Sequence, residues 1–471
     1  MSSTPPTTVP GPGDHPLLGH ARALRNDPIR LFSQGVEHFG DIVRFQLFWK
    51  PIYLVNHPEY AKHILLDNHA NYTKRTHGVK KLRVFGKGLA LSDGELWKKQ
   101  RKLIQPAFRH HHLAMFAEIM IKNANDLSQE LCAARNSGAT VNLSSKFTQL
   151  TLKVVCQTLF GAEAAGLRGL QTPIAYLMHE ARVRTYRFPH LPPWIPTPGN
   201  LKFNRARRTL AQFIASLVRE HSREGAPADN LLAMLLAAKD PATGEGMSAT
   251  QLKDEIQTFL LAGHDTTANN LAWTVYLLSR YPEVKRRVIE EIRRVVGHQG
   301  ISLSTLEDLS YTRAVILESL RYYPPVWILP RSPLRDDVIG GYRIPAGSSV
   351  YISPYLIHRH RDFWRNANDF DPTRFTGGCA DDIAKFAFIP FGAGPRQCVG
   401  RQFALTESLI VLATILNHYD LSTTQILEPR PGVTLRPSSN LIARVHSPGT
   451  PLHRQSDRQS RPEHAKSPHD R

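Results

Sequence analysis

The 471-residue chain is poor in cysteine: Cys132, Cys156, Cys379 and Cys398 are the whole complement. None shows the paired spacing of a metal site, and so few in so long a chain exclude a disulfide framework, which fits a reducing compartment. Long apolar runs are also missing. No stretch approaches the roughly 20 residues of a membrane-spanning helix, and the opening Met-Ser-Ser-Thr-Pro-Pro has neither the cationic start nor the apolar core of a secretory signal. A soluble, cytoplasmic protein is the expectation. Acidic residues are in deficit, 40 against 59 Lys and Arg, giving a formal charge of +19. The last 21 residues hold five Lys/Arg and three Asp/Glu and supply only +2, so the body keeps +17. On charge alone nucleic acid is a candidate partner. The basic residues flank chemistry-bearing motifs rather than aromatic stacking platforms, which argues against it.

What is present is concentrated in Phe391–Gly400, Phe-Gly-Ala-Gly-Pro-Arg-Gln-Cys-Val-Gly. Gly392, Gly394 and Gly400 bracket Cys398 with backbone freedom that lets a flat group approach. The apolar spacing of Arg401–Leu412 is helical and puts Cys398 at or just before a helix N-terminus, where dipole and unpaired amides lower a thiol toward its thiolate. A lone cysteine is more often a small buried hydrophobe, and Cys132 and Cys156, in helical apolar runs, are read that way. Cys379 lies in a polar loop and receives no role.

A second concentration lies in the longest helical pattern. Ser248 and Gln251 have capping-box spacing, and apolar residues then recur from Leu252 past Leu278. Mid-pattern, Ala262-Gly263-His264-Asp265-Thr266-Thr267 gathers poor helix formers, which predicts a local distortion. An acid beside an alcohol can pass protons; a lone Thr is equally explained by bonding back to its own helix.

Phe391, Gly394, Arg396, Cys398 and Gly400 fill every specified position of Phe-x-x-Gly-x-Arg-x-Cys-x-Gly and so resemble the haem-binding signature of the cytochrome P-450 family. The resemblance spans roughly residues 20–447, with further motifs in family order. It implies a mainly α fold with a minor β region, holding haem b between a long distal helix and a proximal Cys loop. Cys398 is then the metal ligand, the axial thiolate of the iron. Trp97 and Arg101 resemble the family's Trp-x-x-x-Arg element and, with Arg331 and Arg396, would hold the haem propionates. Ala-Gly-x-Asp-Thr-Thr implies that Thr266 hydrogen-bonds dioxygen and Asp265 gates protons, with His264 structural. Glu318 and Arg321 match Glu-x-x-Arg, and Arg374 in Pro372-Thr373-Arg374-Phe375 would be a second arginine on the same glutamate. Thr373 departs from the pattern, where Glu is common. Ala262, Gly263, Val326, Trp327 and Ile328 fall where family members line the substrate pocket, and Trp327 would narrow it. Lys98, Lys99, Lys102 and Arg109 would dock an acidic redox partner. His358-Arg359-His360-Arg361 resembles a zinc cluster without a third ligand at suitable spacing and is read as structure.

The remaining chain divides into a Pro/Gly-rich segment 1–20, a catalytic domain 21–447 and a polar tail 448–471 without apolar period, which is expected to be disordered. Ile42–Val55 reads as two strands around a Lys50-Pro51 turn, and residues 340–352 as a turn with flanking strands. The Pro- and aromatic-rich stretch 188–199 corresponds in the family to a roof over the channel. The implied activity is insertion of one oxygen atom from O2 into a hydrophobic terpenoid, fatty acid or polyketide. No flavin or iron–sulfur segment is present, so electrons come from a separate ferredoxin or flavodoxin with its reductase, and the enzyme is expected to be a monomer. The alternatives are a thiolate-haem peroxygenase or isomerase, and a non-enzymatic haem sensor.

Overall fold

Helix formation follows the apolar period, and the longest helix sets the frame. Our computed structural model describes residues 8–447 except 14, 16, 77–85, 163–166, 168, 187–193, 222, 224–229, 240–243 and 378–382. Cys379, residues 188–193 of the expected roof and the tail from 448 lie outside the described residues.

The long helix is Ala249–Arg280. Its N-terminus is closed by the reciprocal capping box: Gln251 N–H donates to Ser248 Oγ and Ser248 N–H to Gln251 Oε1. Almost every residue from Phe259 to Leu278 is buried, so this helix is a core element enclosed on all sides. The predicted distortion is not found. The helix is α-helical without interruption from 249 to 280; the Thr266 and Thr267 hydroxyls bond back to the Ala262 and Gly263 carbonyls at 2.9 and 3.4 Å without opening the ladder, which burial against the neighbouring elements holds closed. Gly263 lets the helix Leu143–Phe160 approach closely: a Cβ there would stand 3.0 Å from Val155.

The helix Arg401–His418 is buried along most of its length, packs against His110–Ser137 and carries the cysteine loop on its N-terminal end. A five-stranded sheet runs in the order Ile42–Leu47, Lys50–Val55, Ser349–Ile352, Leu329–Pro333, Tyr72–Thr73. Only the Lys50–Val55/Ser349–Ile352 pair is parallel. The hairpin turn lies at Phe48-Trp49, not Lys50-Pro51: Leu47 pairs with Lys50 and Gln46 with Pro51, and Phe48 takes the left-handed conformation at φ 54° that closes the turn. Pro10 and His20 tie the N-terminal segment to the outer strand, with Val9 buried, Arg44 N–H on the Pro10 carbonyl and His20 N–H on the Gln46 carbonyl.

Behind the cysteine loop sits a buried ion pair. Glu318 and Arg321 lie on one face of the helix Ser310–Tyr322, both fully buried. Arg321 spends all five N–H groups: Nε and Nη2 on Glu318 at 2.6 and 2.7 Å, Nη1 on the carbonyls of His358 and Ala367, Nη2 also on that of Asp369. Glu318 also accepts the Asp371 amide at 2.8 Å, while Arg374 stands 3.6 Å away and adds charge without a hydrogen bond. His358 carries the connection onward, taking the Ile389 amide on Nε2 at 2.9 Å and directing Nδ1 at the Arg321 carbonyl, so its ring is the neutral Nδ1–H form. Ile389 stands two residues before the cysteine loop. Replacing Glu318 by Ala leaves Arg321 buried with two donors unpaired, an expected cost of roughly 3–5 kcal/mol; the urea midpoint should fall accordingly and the chain should not retain cofactor, and an unchanged midpoint would refute the lock.

Candidate active site

Between the long helix and the cysteine loop lies a cavity of about 330 Å³. Val155, Leu159, Phe259, Ala262, Val326 and Leu329 give it apolar walls, with Thr266 and Cys398 among the residues facing it. The Cys398 amide donates to the Phe391 carbonyl at 2.9 Å, folding the loop back on itself, and the following helix starts at Arg401 with Gly400 as its N-cap. The side chain is open to the cavity yet surrounded by protein. Burial pushes the Cys398 thiol up, with the Gly400 amide, Arg101, Lys74 and Arg401 opposing it. The helix terminus and the nearby cations thus act in the sense the sequence predicted, toward the thiolate, but against burial. Gly394 serves the fold, since at φ 67° its missing Cβ would meet the Leu65 carbonyl oxygen at 1.9 Å. Phe391, Gly392 and Gly400 do line the cavity.

Four cations rim one end. Trp97 and Arg101 come from the helix Gly94–Ile104, Arg331 from the strand Leu329–Pro333 and Arg396 from the cysteine loop, so the residues expected to hold propionates all line the cavity, and Lys74 joins them unpredicted. Arg396 is fixed by Asp93 and the Ser92 carbonyl and lies 4.2 Å from the centre of the Trp97 ring. Arg101 Nη1 donates to the Gln397 carbonyl at 2.9 Å. Arg331 has no carboxylate partner among the described residues; its Nη1 reaches only the Pro330 carbonyl, and burial lowers it to about 10. Lys74 Nζ reaches the Ala90 carbonyl at 3.0 Å. Burial, then Arg331 and Arg396, push its ammonium well below the usual lysine range. Asp93 answers Arg396, but the Lys74 and Arg331 side chains, enclosed and without a carboxylate in hydrogen-bond contact among the described residues, favour a further anion beside them. A flat, largely apolar group with two carboxylates at one edge and a metal that takes sulfur satisfies walls, rim and thiol together, and these residues fit a haem.

Two expectations change. Asp265 and Thr266 are neighbours in sequence but point apart. Thr266 faces the cavity, whereas Asp265 is buried on the far side of the helix, accepting Thr434 Oγ1 at 2.6 Å and paired with Arg436. Trp327 does not narrow the pocket. It is fully buried with Phe32 and Leu54 in a separate cluster, its Nε1 on the Gly432 carbonyl at 2.9 Å, and Ile328 packs against the same cluster. Ala262, Gly263 and Val326 are on the cavity wall. Of the basic set, Lys98 is paired with Glu95 and the half-buried Lys99 stands 3.7 Å from Glu245, while Lys102 and Arg109 are exposed.

With this geometry in place, comparison with known proteins is informative. Residues 9–443 match the sequence model of the family described as Cytochrome P450. The chain belongs to the cytochrome P450 family. It is 34% identical over 440 residues to cyclooctat-9-en-7-ol 5-monooxygenase of Streptomyces melanosporofaciens, covering 92% of this chain and 93% of that protein. Pentalenene oxygenase of Streptomyces avermitilis is 30% identical, with 89% and 92% covered. The crystal structure of the cytochrome P450DA heme domain superposes with a TM-score of 0.84 at 27% identity, covering 94% of this chain and 98% of that one. The mainly α fold, the haem cofactor and a cytochrome P450 monooxygenase activity follow from this P450 membership. No helix among the described residues is long and apolar enough to cross a membrane.

One buried acid went unnoticed in the sequence although the signal was there, a Glu inside the apolar run Ala404–Leu412. Glu407 is fully buried and neither carboxyl oxygen has a hydrogen-bond partner among the described residues. Burial pushes its carboxyl well above the usual range, with Thr267 countering weakly. The folded state therefore keeps it protonated, and that advantage is lost as pH rises above the ordinary value of 4.5, where the unfolded chain ionises. The stability of the native enzyme relative to Glu407→Gln should fall as pH rises from about 4.5 toward neutrality, measured as the difference in melting temperature; a pH-independent difference would show that Glu407 is ionised in the fold.

Proposed function

We propose that this P450 hydroxylates or epoxidises a terpenoid, using haem b ligated by Cys398 and electrons from a ferredoxin- or flavodoxin-type donor in the cytoplasm. The observation that carries this reading is the Cys398 sulfur opening into an apolar cavity that Thr266 faces from the long helix and four cations rim. The relatives named for cyclooctat-9-en-7-ol and pentalenene favour a terpenoid over a fatty acid or polyketide, and the apolar walls suit such a molecule.

Haem bound there supplies activation of O2 and transfer of one oxygen atom to a C–H or C=C bond, with Trp97, Arg101, Arg331, Arg396 and Lys74 holding its propionates. The protein's own part is positional and protonic. The Thr266 hydroxyl donates to the Ala262 carbonyl, which leaves its oxygen lone pairs directed at the cavity as acceptors. Asp265 acts as the gate: held by Arg436 and Thr434 it is sealed from the cavity, and it serves protons only by exchanging those partners. Of the expected set Lys98, Lys99, Lys102 and Arg109, the exposed Lys102 and Arg109, together with the exposed Arg401 beside the cysteine loop, form the proposed donor surface.

Reduced with carbon monoxide, the protein should give the red-displaced Soret band of thiolate ligation, and a histidine-type spectrum would overturn the assignment. Asp265→Asn should slow turnover supported by O2 and a reductant while sparing turnover driven by peroxide; equal loss in both would remove Asp265 from the proton route. Lys102→Glu combined with Arg109→Glu should raise the apparent Kd for ferredoxin several-fold at low salt and converge on the unmodified enzyme at high salt. Unchanged reduction kinetics would place the donor elsewhere.

A further inference from the structure

The segment Gly86–Leu91 crosses the N-terminal part of the long helix, and two of its residues, Leu89 and Ala90, face the cavity. Its attachment is unusual in being made by side-chain carboxylates to backbone amides. Lys87 N–H donates to Asp254 Oδ2 at 2.7 Å and Leu89 N–H to Glu255 Oε2 at 2.9 Å. Gln100 Nε2 takes the Lys87 carbonyl at 3.0 Å from the other side, and Lys74 Nζ holds that of Ala90. The contact is flush because both flanking residues are glycine. A Cβ on Gly86, which sits at φ 60°, would come within 2.3 Å of the Asp254 carboxylate. One on Gly88 would come within 2.2 Å of Thr258 Oγ1 and 2.4 Å of the Asp254 carbonyl oxygen.

Stability alone does not account for Glu255. It is fully buried, its Oε1 has no partner, and burial pushes its carboxyl up to about 7. Such a group costs free energy unless something is gained from its one hydrogen bond. What that bond fixes is Leu89, and with it the position of one cavity wall.

We propose that Asp254 and Glu255 are specificity-determining positioning residues: by clamping Lys87 and Leu89 amides to the long helix, with Gly86 and Gly88 permitting the contact, they set how bulky a substrate the cavity admits. Neither residue is among those facing the cavity. The proposal rests on the reading that substrate binds above Cys398, and it has a separate readout. Displacing the wall alters discrimination by ligand size, whereas ligation at Cys398 is unaffected.

The test uses purified holoenzyme and two haem-binding probes, imidazole and clotrimazole, titrated by their absorbance shifts. The ratio of the clotrimazole Kd to the imidazole Kd should change by about tenfold or more in Glu255→Ala and in Gly88→Ala, the scale on which one methylene of misfit in an apolar wall discriminates. Glu255→Gln, which keeps an acceptor for the Leu89 amide, should restore the native ratio. Asp254→Ala, a substitution at a half-buried position, provides the same measurement should the buried substitutions lower haem content. The proposal is overturned if the ratio stays within twofold of the native value in Gly88→Ala and Asp254→Ala while both keep the thiolate-type carbon monoxide band. Loss of that band in the unmodified protein would instead defeat the Cys398 assignment itself.

Discussion

A guanidinium with five N–H groups, buried with five acceptor contacts around it, is the constraint on which the site depends. Arg321 ties its own helix through Glu318 to three carbonyls in the segment 358–369, and the Asp371 amide closes the ring on Glu318. Burial raises the Glu318 carboxyl, but two arginine donors at under 2.8 Å and a backbone amide stabilise the anion, and we take it as ionised. Such a pair adds little net stability over an apolar substitute, while breaking it is severe. Its use is geometric. Through His358 it reaches Ile389, and so fixes the entry of the loop that presents Cys398.

Electrostatics explains why the site is complete only with its cofactor. Three features are unfavourable in isolation: a thiol raised by burial, a lysine pushed down by burial and two arginines, and Arg331 without a carboxylate. Each is relieved by one end of the same ligand. A positive metal stabilises the sulfur, and two carboxylates answer the cations. The cavity is therefore a charge-separated mould, negative-seeking at its rim and cation-seeking at its floor, and haem supplies both charges on a rigid disc.

How much of this could be read from residues alone follows from range. The capping box at Ser248 and Gln251 was legible because it is decided within a few residues of chain. The motif residues around Cys398, Arg101 and Glu318 were legible through their resemblance to a family. Direction was not legible. Asp265 and Thr266 differ by one helical step, about 100°, and a sequence cannot tell which of them the neighbouring Pro429–Pro437 region will claim. Trp327 was misplaced for the same reason, since an apolar residue beside a cavity and one beside a second core look alike until Phe32 and Gly432 are brought to it. Lys74 was missed because its meaning depends on Arg331 and Arg396, 257 and 322 positions away in sequence. Distortion was predicted from poor helix formers and did not appear. Burial against the neighbouring elements outweighs a propensity cost of at most about 1 kcal/mol per residue.

The division of labour along the long helix follows from this. Its N-terminal third offers carboxylates outward to a glycine strap, its middle brings Thr266 to the cavity, and its C-terminal third packs and anchors, with Trp273 stacked on Tyr323 at 3.9 Å and its Nε1 donating to the Leu435 carbonyl. A helix without internal distortion can do all three because glycines on both sides of its contacts provide the room: Gly86 and Gly88 in the strap, and its own Gly263 against Val155. Rigidity in the element facing the reacting centre, with variation confined to the segments leaned against it, is what allows one oxidising site to be combined with different pocket shapes.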